Sequence, residues 1–261
     1  MFEQPPLFTI VTVTRNNLAG LRLTAKSITQ QLYKNYEWRV IDGASIDGTV
    51  DWLNQCNARG MIALSEPDDG LYHAMNKAID KSRGKYVIFL NSGDEFANNK
   101  VLAKTANTIS HHPAEVLYGD SFEISDGERL LKTAFPHHRI WYSMFTHHQA
   151  IFYSLEAIGE TRYRDNLQIA GDWALTAELY KAGKSFHSLK YPVCVFERGG
   201  VSQSKDPNII AKMYAERDWI NQNIFEMSPL KSRAILYVKH SVERIRNKYP
   251  DLYDRLRFKK G

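Results

Sequence analysis

The chain has 261 residues, of which 43% are hydrophobic and 24% are charged. This composition is ordinary for a globular protein and argues against disorder, and the length suits one large domain or one domain with an appendage. The two cysteines, Cys56 and Cys194, argue against a disulfide framework and favour a reducing cytoplasm. No apolar run approaches the roughly 20 residues of a membrane-spanning helix, and we expect no signal peptide.

The net charge of +5 is unevenly distributed along the chain. Residues 228–261 contain ten Lys or Arg and three Asp or Glu, so this segment carries +7 and the remainder carries about −2. Because the basic residues belong to a tail, we expect no nucleic-acid-binding surface.

The first third of the chain alternates strand and helix patterns. Strands are predicted at 7–14, 38–41, 61–64 and 86–90, and helices at 18–32, 49–56 and 71–82. Thr49 is a predicted N-cap, and Gly84 is the predicted stop after the third helix. This alternation predicts βαβ units and a parallel sheet, with the loops after successive strands at one edge.

The middle of the chain is less regular. Strands are predicted at 116–124, 129–134, 149–153 and 186–196, the first two paired across a turn at 125–128, and helices at 98–110, 172–182 and 208–223. We expect a domain over residues 1–227, with a nucleotide-binding half at 1–96 and an acceptor half at 97–227. Residues 228–261 form a separate helical extension in this interpretation.

The tail has a helical pattern of its own. Basic residues alternate there with apolar residues that recur at three- and four-residue steps. The apolar residues are Ile235, Val238, Val242, Ile245 and Tyr249. This pattern predicts a basic amphipathic helix, a form common at membrane surfaces. The alternative is a helix that packs on the domain and covers part of its core.

Polar side chains follow the predicted strands where each strand ends. Residues 86–96 read Tyr-Val-Ile-Phe-Leu-Asn-Ser-Gly-Asp-Glu-Phe, so a buried strand leads directly into amide and carboxylate oxygens. Such oxygens suit a hard cation, and ligands of open α/β sheets lie at this edge. A row of acids would repel a bare phosphate, so a nucleoside diphosphate with a bridging metal ion fits best.

Four segments together resemble a known family. They read Thr-Val-Thr-Arg-Asn at 12–16, Ile-Asp-Gly-Ala-Ser-Ile-Asp-Gly-Thr at 41–49, Glu-Pro-Asp-Asp-Gly-Leu-Tyr-His-Ala-Met-Asn-Lys-Ala-Ile at 66–79, and Gly-Lys-Tyr-Val-Ile-Phe-Leu-Asn-Ser-Gly-Asp-Glu-Phe at 84–96. In this order they resemble family 2 glycosyltransferases of the GT-A fold, and most of all the subgroup that builds colanic-acid-type exopolysaccharides. The resemblance covers about residues 7–203 and implies an α/β fold with a mostly parallel, Rossmann-like central sheet flanked by helices.

The resemblance also implies a binding site for a nucleotide-sugar. The implied donor-binding residues are Thr12, Thr14, Asn16, Asp42, Asp68, Asp69, Asn76, Asn91 and Ser92. Asp94 matches the metal-binding acid, and the implied cofactor is Mn²⁺ or Mg²⁺. Asn91 and Gly93 occupy places that Asp often holds, so phosphate and water would supply further ligands. A helix N-cap is the alternative role for Asp94.

The acceptor side is implied by later segments. Asp172 matches the catalytic base, with a helix N-cap as its alternative role. His148 and Gln149 match a pair near the acceptor, and Arg198 lies in a Gly-Gly-containing loop where it could reach a phosphate. Adjacent His147 and His148 on a strand would point to opposite faces, which makes them poor joint metal ligands.

The sequence therefore predicts an inverting, metal-dependent glycosyltransferase. Its expected acceptor is a lipid-diphosphate-linked glycan at the cytoplasmic face of the membrane, where anionic lipids attract basic helices. A nucleotidyltransferase is one alternative, but the early phosphate loop of such enzymes is Gly-rich, whereas residues 14–17 read Thr-Arg-Asn-Asn. A non-catalytic sugar-nucleotide or glycan-binding protein is another, and it would not need Asp172.

Overall fold

The computed structural model describes residues 4–125, 127–197, 204, 206–249 and 259–260. The strands are β1 (Phe8–Thr14), β2 (Tyr36–Asp42), β3 (Met61–Ser65), β4 (Tyr86–Phe89), β5 (Glu95–Phe96), β6 (Val116–Ser125), β7 (Glu128–Lys132), β8 (Ile151–Ser154), β9 (Phe186–Glu197) and β10 (Lys259–Lys260). The helices are α1 (Leu18–Thr29), α2 (Thr49–Gln55), α3 (Leu71–Lys81), α4 (Val101–His111), α5 (Leu155–Ile158), α6 (Gly171–Lys181), α7 (Pro207–Asn223) and α8 (Pro229–Lys248), with 3-10 turns at His137–Trp141 and His148–Ala150.

The first four strands form a parallel sheet in the spatial order β4-β1-β2-β3. The sheet continues from β4 through antiparallel β8, β6 and β7, while β9 pairs with β6 in parallel and with β5 antiparallel. This confirms the predicted parallel arrangement and the predicted β6–β7 pair. The carboxyl ends of β1, β2, β3 and β4 consequently share one edge.

Two apolar cores cover the two faces of this sheet. Every residue of β1 is buried, and its side chains alternate between the cores: Phe8 and Ile10 join one, while Val11 and Val13 join the other. β4 reads as the continuous apolar run expected of a strand that is buried on both faces, whereas β1 is equally buried but carries three threonines among its apolar residues. The packing of both faces fixes the strands whose carboxyl ends carry the polar loops.

Two predicted helix boundaries are wrong. A left-handed Gly48, with φ 88°, precedes α2, and Thr49 is already inside the helix, where its hydroxyl donates to Asp47. Gly84 is not a left-handed cap after α3. A Cβ at Gly84 would lie 2.5 Å from the Thr9 backbone nitrogen, so glycine is needed because the chain passes directly against β1 here.

The cap alternatives for the two candidate acids are also wrong. The helix that was predicted from residue 98 begins at Val101, and its N-cap is Lys100. Asp94 therefore lies too far before α4 to cap it. The N-cap of α6 is Ala170, and Asp172 lies inside the first turn. The strand predicted from Gln149 begins at Ile151, because His148–Ala150 forms a 3-10 turn.

The tail helix α8 packs on α7 through its polar side. Ser232 binds Asp218 and Asn221, and Glu243 accepts hydrogen bonds from Tyr214 and Arg217. Four apolar residues of the predicted stripe are exposed, Val238, Val242, Ile245 and Tyr249, whereas the fifth, Ile235, is half-buried. The helix therefore docks on the domain without burying this stripe. Within the described ranges, no helix is long and apolar enough to cross a bilayer.

Candidate active site

The turn after β4 holds the candidate metal ligand, Asp94. Its side chain is buried, and its Oδ2 accepts a hydrogen bond of 3.0 Å from Gln149 Nε2. Burial raises the pKa of Asp94 to about 6, although the bond from Gln149 opposes the shift. A nearby cation would stabilise the charged form of this buried carboxylate.

The residues of this turn fit a divalent cation. Asn91 Oδ1 is buried without a hydrogen-bond partner, and the Asp94 backbone nitrogen donates to the Asn91 carbonyl oxygen, so both side chains leave one tight turn. Among the described residues, no group of three His, Cys, Asp or Glu side chains converges on one point. An ion here would take its other ligands from phosphate and water, which suits Mg²⁺ or Mn²⁺.

The candidate base, Asp172, lies in the first turn of α6. Its Oδ2 is 3.5 Å from His148 Nδ1, and its Oδ1 accepts a hydrogen bond from the Trp173 backbone nitrogen. The other ring nitrogen of His148 faces Asn91 Nδ2 at 3.4 Å. About a fifth of the Asp172 side chain is exposed, so the carboxylate can meet a ligand.

The two candidate acids belong to one site. Asp94 and Asp172 are 78 positions apart in the sequence, but adjacent residues of the 3-10 turn contact both: Gln149 binds Asp94, and His148 lies beside Asp172. The 3-10 turn lets these neighbouring side chains reach different partners. His147 takes a third direction, toward Glu123.

Tyr72 of α3 is a site residue that sequence reasoning missed. Its hydroxyl donates to the Ile169 carbonyl oxygen at 2.9 Å and lies 3.5 Å from Asp172 Oδ1. A Cβ at Gly171 would lie 2.6 Å from the Tyr72 ring, so glycine in this position admits the ring beside the base. The sequence could have indicated Tyr72, because it lies inside the segment 66–79 that carries the family resemblance.

The loops after β1 and β2 are tied to each other. Asn16, with φ 50°, donates its backbone N–H to Ser45 Oγ and accepts from the Ile46 backbone nitrogen. Asp42 is fully buried and accepts hydrogen bonds from Ser45 and Ser65. The carboxylate of Asp42 thus ties the loop after β2 to the end of β3, and its predicted contact with a nucleotide stays a prediction.

Several predicted donor-binding residues have structural partners. Thr12 is fully buried, where it donates to the Leu90 carbonyl oxygen. Asn76 makes two hydrogen bonds to the Tyr163 backbone, one in each direction. Asp68 accepts from the Gly70 backbone nitrogen at the start of α3. Their predicted roles in donor binding stay predictions.

The remaining predicted residues differ in placement. Asp69 is highly exposed beside His73, Ser92 accepts a hydrogen bond from Asn17, and Thr14 Oγ1 is buried without a partner. Arg198 lies outside the described residues.

A second charged cluster lies beyond the predicted site. Glu123 contacts Lys132 and His147, and the His147 ring packs on Phe196. Burial lowers the pKa of His147 to about 4, with the Lys132 charge adding to the shift. Burial alone would raise the pKa of Glu123, but the His147 hydrogen bond and the Lys132 charge together hold it well below its usual range.

Comparison with known proteins assigns the family. The sequence model of Glycosyl transferase family 2 matches residues 9–162, which is more than half of the chain. This chain belongs to glycosyl transferase family 2. The match ends before Asp172, so the candidate base and the C-terminal helices of this family 2 enzyme lie outside it.

Relatives and solved structures agree with this assignment. A PGL/p-HBAD biosynthesis glycosyltransferase of Mycobacterium tuberculosis is 31% identical over 173 residues, which cover 64% of this chain and 67% of the relative. The putative teichuronic acid biosynthesis glycosyltransferase TuaG of Bacillus subtilis is 29% identical over 51% of this chain and 54% of its own. The mannosyltransferase PcManGT of Pyrobaculum calidifontis, solved with GDP-Man and Mn²⁺, superposes with a TM-score of 0.60 at 15% identity, over 91% of this chain and 80% of that one. The protein is therefore a glycosyltransferase with a GT-A-like α/β fold.

Proposed function

We propose that this glycosyltransferase is metal-dependent and inverting, and that it moves a sugar from a nucleotide-sugar to a hydroxyl group of a glycan. One observation carries the proposal: Gln149 and His148 link Asp94 to Asp172 through direct side-chain contacts. A position for a cation and a diphosphate thus adjoins a position for a general base. A protein that only binds sugars would not need the second.

In this mechanism, Asp172 takes the proton of the acceptor hydroxyl as its oxygen attacks the anomeric carbon. The bond from that carbon to the diphosphate oxygen breaks on the opposite face, so the anomeric configuration inverts. His148 orients the Asp172 carboxylate, and Tyr72 fixes the backbone before it. A divalent ion held by Asp94 and Asn91 would neutralise the departing diphosphate.

The rest of the predicted set completes the substrate sites in this proposal. The loops around Asn16, Asp42 and Asp68 bind the nucleoside, and Gln149 and Arg198 serve the acceptor or the phosphates. The acceptor is a lipid-diphosphate-linked glycan of a bacterial surface polysaccharide, of the colanic-acid or exopolysaccharide type. The resemblance of residues 66–96 to that subgroup supports this, as does the TuaG relative, which is named for teichuronic acid biosynthesis.

A thermal-shift screen against UDP-, GDP- and dTDP-sugars, with and without Mn²⁺, tests the proposed function. We expect one nucleotide series to raise the Tm by about 5 °C or more at saturation, because a bound ligand stabilises only the folded state. The gain should shrink when EDTA removes the metal. No stabilisation by any of the three series, with Mn²⁺ present, would contradict the proposal.

The exposed side of α8 supports binding at the inner face of the cell membrane. Val238, Val242 and Ile245 form an exposed apolar stripe, and the basic residues Lys231 and Lys248 flank it. The polar contacts of α8 with α7 leave these three side chains about half exposed. Apolar side chains bordered by cations suit an anionic lipid surface.

Val242→Asp should reduce binding to vesicles that contain anionic lipid by about tenfold, because it removes an apolar contact and adds repulsion. The matched control is Leu23→Asp, since Leu23 on α1 is 49% exposed and Val242 is 47% exposed. Co-sedimentation measures both. Equal losses in the two variants would rule out the stripe as a membrane contact, and equal binding of the unmodified protein to neutral and anionic vesicles would rule out attraction by the basic residues.

A further inference from the structure

A buried glutamate of α7 is hydrogen-bonded to the backbone just before the candidate base. Glu216 is 5% exposed, and its carboxylate accepts hydrogen bonds from three successive backbone nitrogens. Gln168 donates to Oε1 at 2.8 Å, while Ile169 and Ala170 donate to Oε2 at 2.9 and 2.8 Å. Ala170 is the N-cap of α6, so the last of these three hydrogen bonds lies two residues before Asp172.

The same backbone is fixed from two further sides. The Tyr72 hydroxyl of α3 donates to the Ile169 carbonyl oxygen. Both the backbone N–H and the carbonyl group of Ile169 are therefore paired with side chains, of α7 and of α3 respectively. On the other side of the base, Trp173 Nε1 donates to the Ile140 carbonyl oxygen, and Lys239 Nζ of α8 lies 5.3 Å from the Trp173 ring centroid. The position of Asp172 is therefore set by contacts before and after it.

We propose that Glu216 is a positioning residue for the transfer reaction, acting through the backbone that leads to Asp172. This inference rests on the proposed role of Asp172 as the base. It extends the catalytic apparatus to α7, beyond the part of the chain that the family model matches. Glu216 itself is enclosed by protein and does not touch the substrate in this mechanism.

A carboxylate suits this place because all three partners are N–H donors. Glutamine has one acceptor oxygen and an NH₂ group that would face donors. Glu216→Gln can therefore accept at only one of the two oxygen positions and leaves one or two of the three backbone N–H groups without an acceptor, so the start of α6 should shift. A displacement of about 1 Å in a catalytic group can lower a rate about 100-fold.

We expect Glu216→Gln to lower kcat for nucleotide-sugar turnover roughly 10- to 100-fold, while KM for the sugar donor stays within about twofold. The probe is the UDP-, GDP- or dTDP-sugar that gives the largest thermal shift with Mn²⁺. The matched control is Glu178→Gln on α6, because Glu178 lies six residues after the base and pairs with Arg164 instead of with the backbone before α6. This control should keep nearly the full kcat.

A double-mutant cycle decides whether Glu216 acts through Asp172. If it does, adding Glu216→Gln to Asp172→Asn lowers kcat by less than about threefold further, since the base is already lost. A second drop as large as the first would overturn the inference. If Glu216→Gln fails to fold, Glu216→Asp decides: it keeps the charge and retracts the carboxylate, and an unchanged kcat would overturn the inference. Unchanged kcat in Asp172→Asn alone would instead reject the proposed base.

Discussion

Replacing Asp172 by Asn should lower kcat by about 10²- to 10⁴-fold while donor binding is kept, because the amide cannot take the acceptor's proton. The amide has nearly the same shape as the carboxylate, and it can still accept from the Trp173 backbone nitrogen. The substitution removes the proton-accepting function together with the negative charge beside His148. The measurement pairs steady-state turnover with a thermal-shift titration of the nucleotide-sugar.

The matched control for this substitution is Asp165→Asn, since Asp165 is exposed in the segment that precedes α6. It changes the net charge equally near the same helix and should leave kcat unchanged. A kcat loss of less than about threefold in Asp172→Asn would show that another group is the base, or that none is needed. Such a result would revive the non-catalytic binding alternative, since a binding protein needs no base.

Replacing Asp94 by Asn should abolish the part of nucleotide-sugar binding that depends on Mn²⁺, and should lower turnover by about 100-fold or more. The neutral amide removes the one carboxylate of the turn after β4, while an oxygen and an NH₂ group remain near Gln149. The fold should survive, because burial of a neutral amide avoids the cost of desolvating a charge. A thermal-shift titration with and without Mn²⁺ separates the metal-dependent part.

Asp80→Asn is the control for this second variant, because Asp80 pairs with Arg162 on the exposed side of α3. It should keep the full Mn²⁺ response. If Asp94→Asn still shows an undiminished Mn²⁺ response, the cation binds elsewhere and the turn after β4 is a structural feature only.

The short-range pattern of the sequence was sufficient for the first half of the fold. Strand-like and helix-like runs alternate up to residue 90, and the rule that parallel strands share their carboxyl edge placed the polar loops together. The bounds of the helices did not follow from this pattern, because the residues that end a helix depend on contacts with segments distant in the sequence. Gly84 shows this: what decides its identity is β1, which is 75 positions away.

The site was predictable only as a list of residues. Asp94, Gln149, His148 and Asp172 were named from motifs, but nothing local states that a 3-10 turn aims adjacent side chains at two different acids. Glu216 carried no signal at all, because one glutamate in a helix looks like any exposed acid until the packing of α7 buries it.

The sequence alone determined that this chain builds a parallel sheet with oxygen-rich loops at its edge, because strand and helix periodicities are properties of neighbouring residues. Tertiary structure alone decided which side of α8 is covered and which residues hold the start of α6. Those outcomes depend on contacts between Glu216, Tyr72, Lys239 and segments up to about a hundred positions away. Periodicity fixes the faces of a helix, but only packing selects the face that is buried.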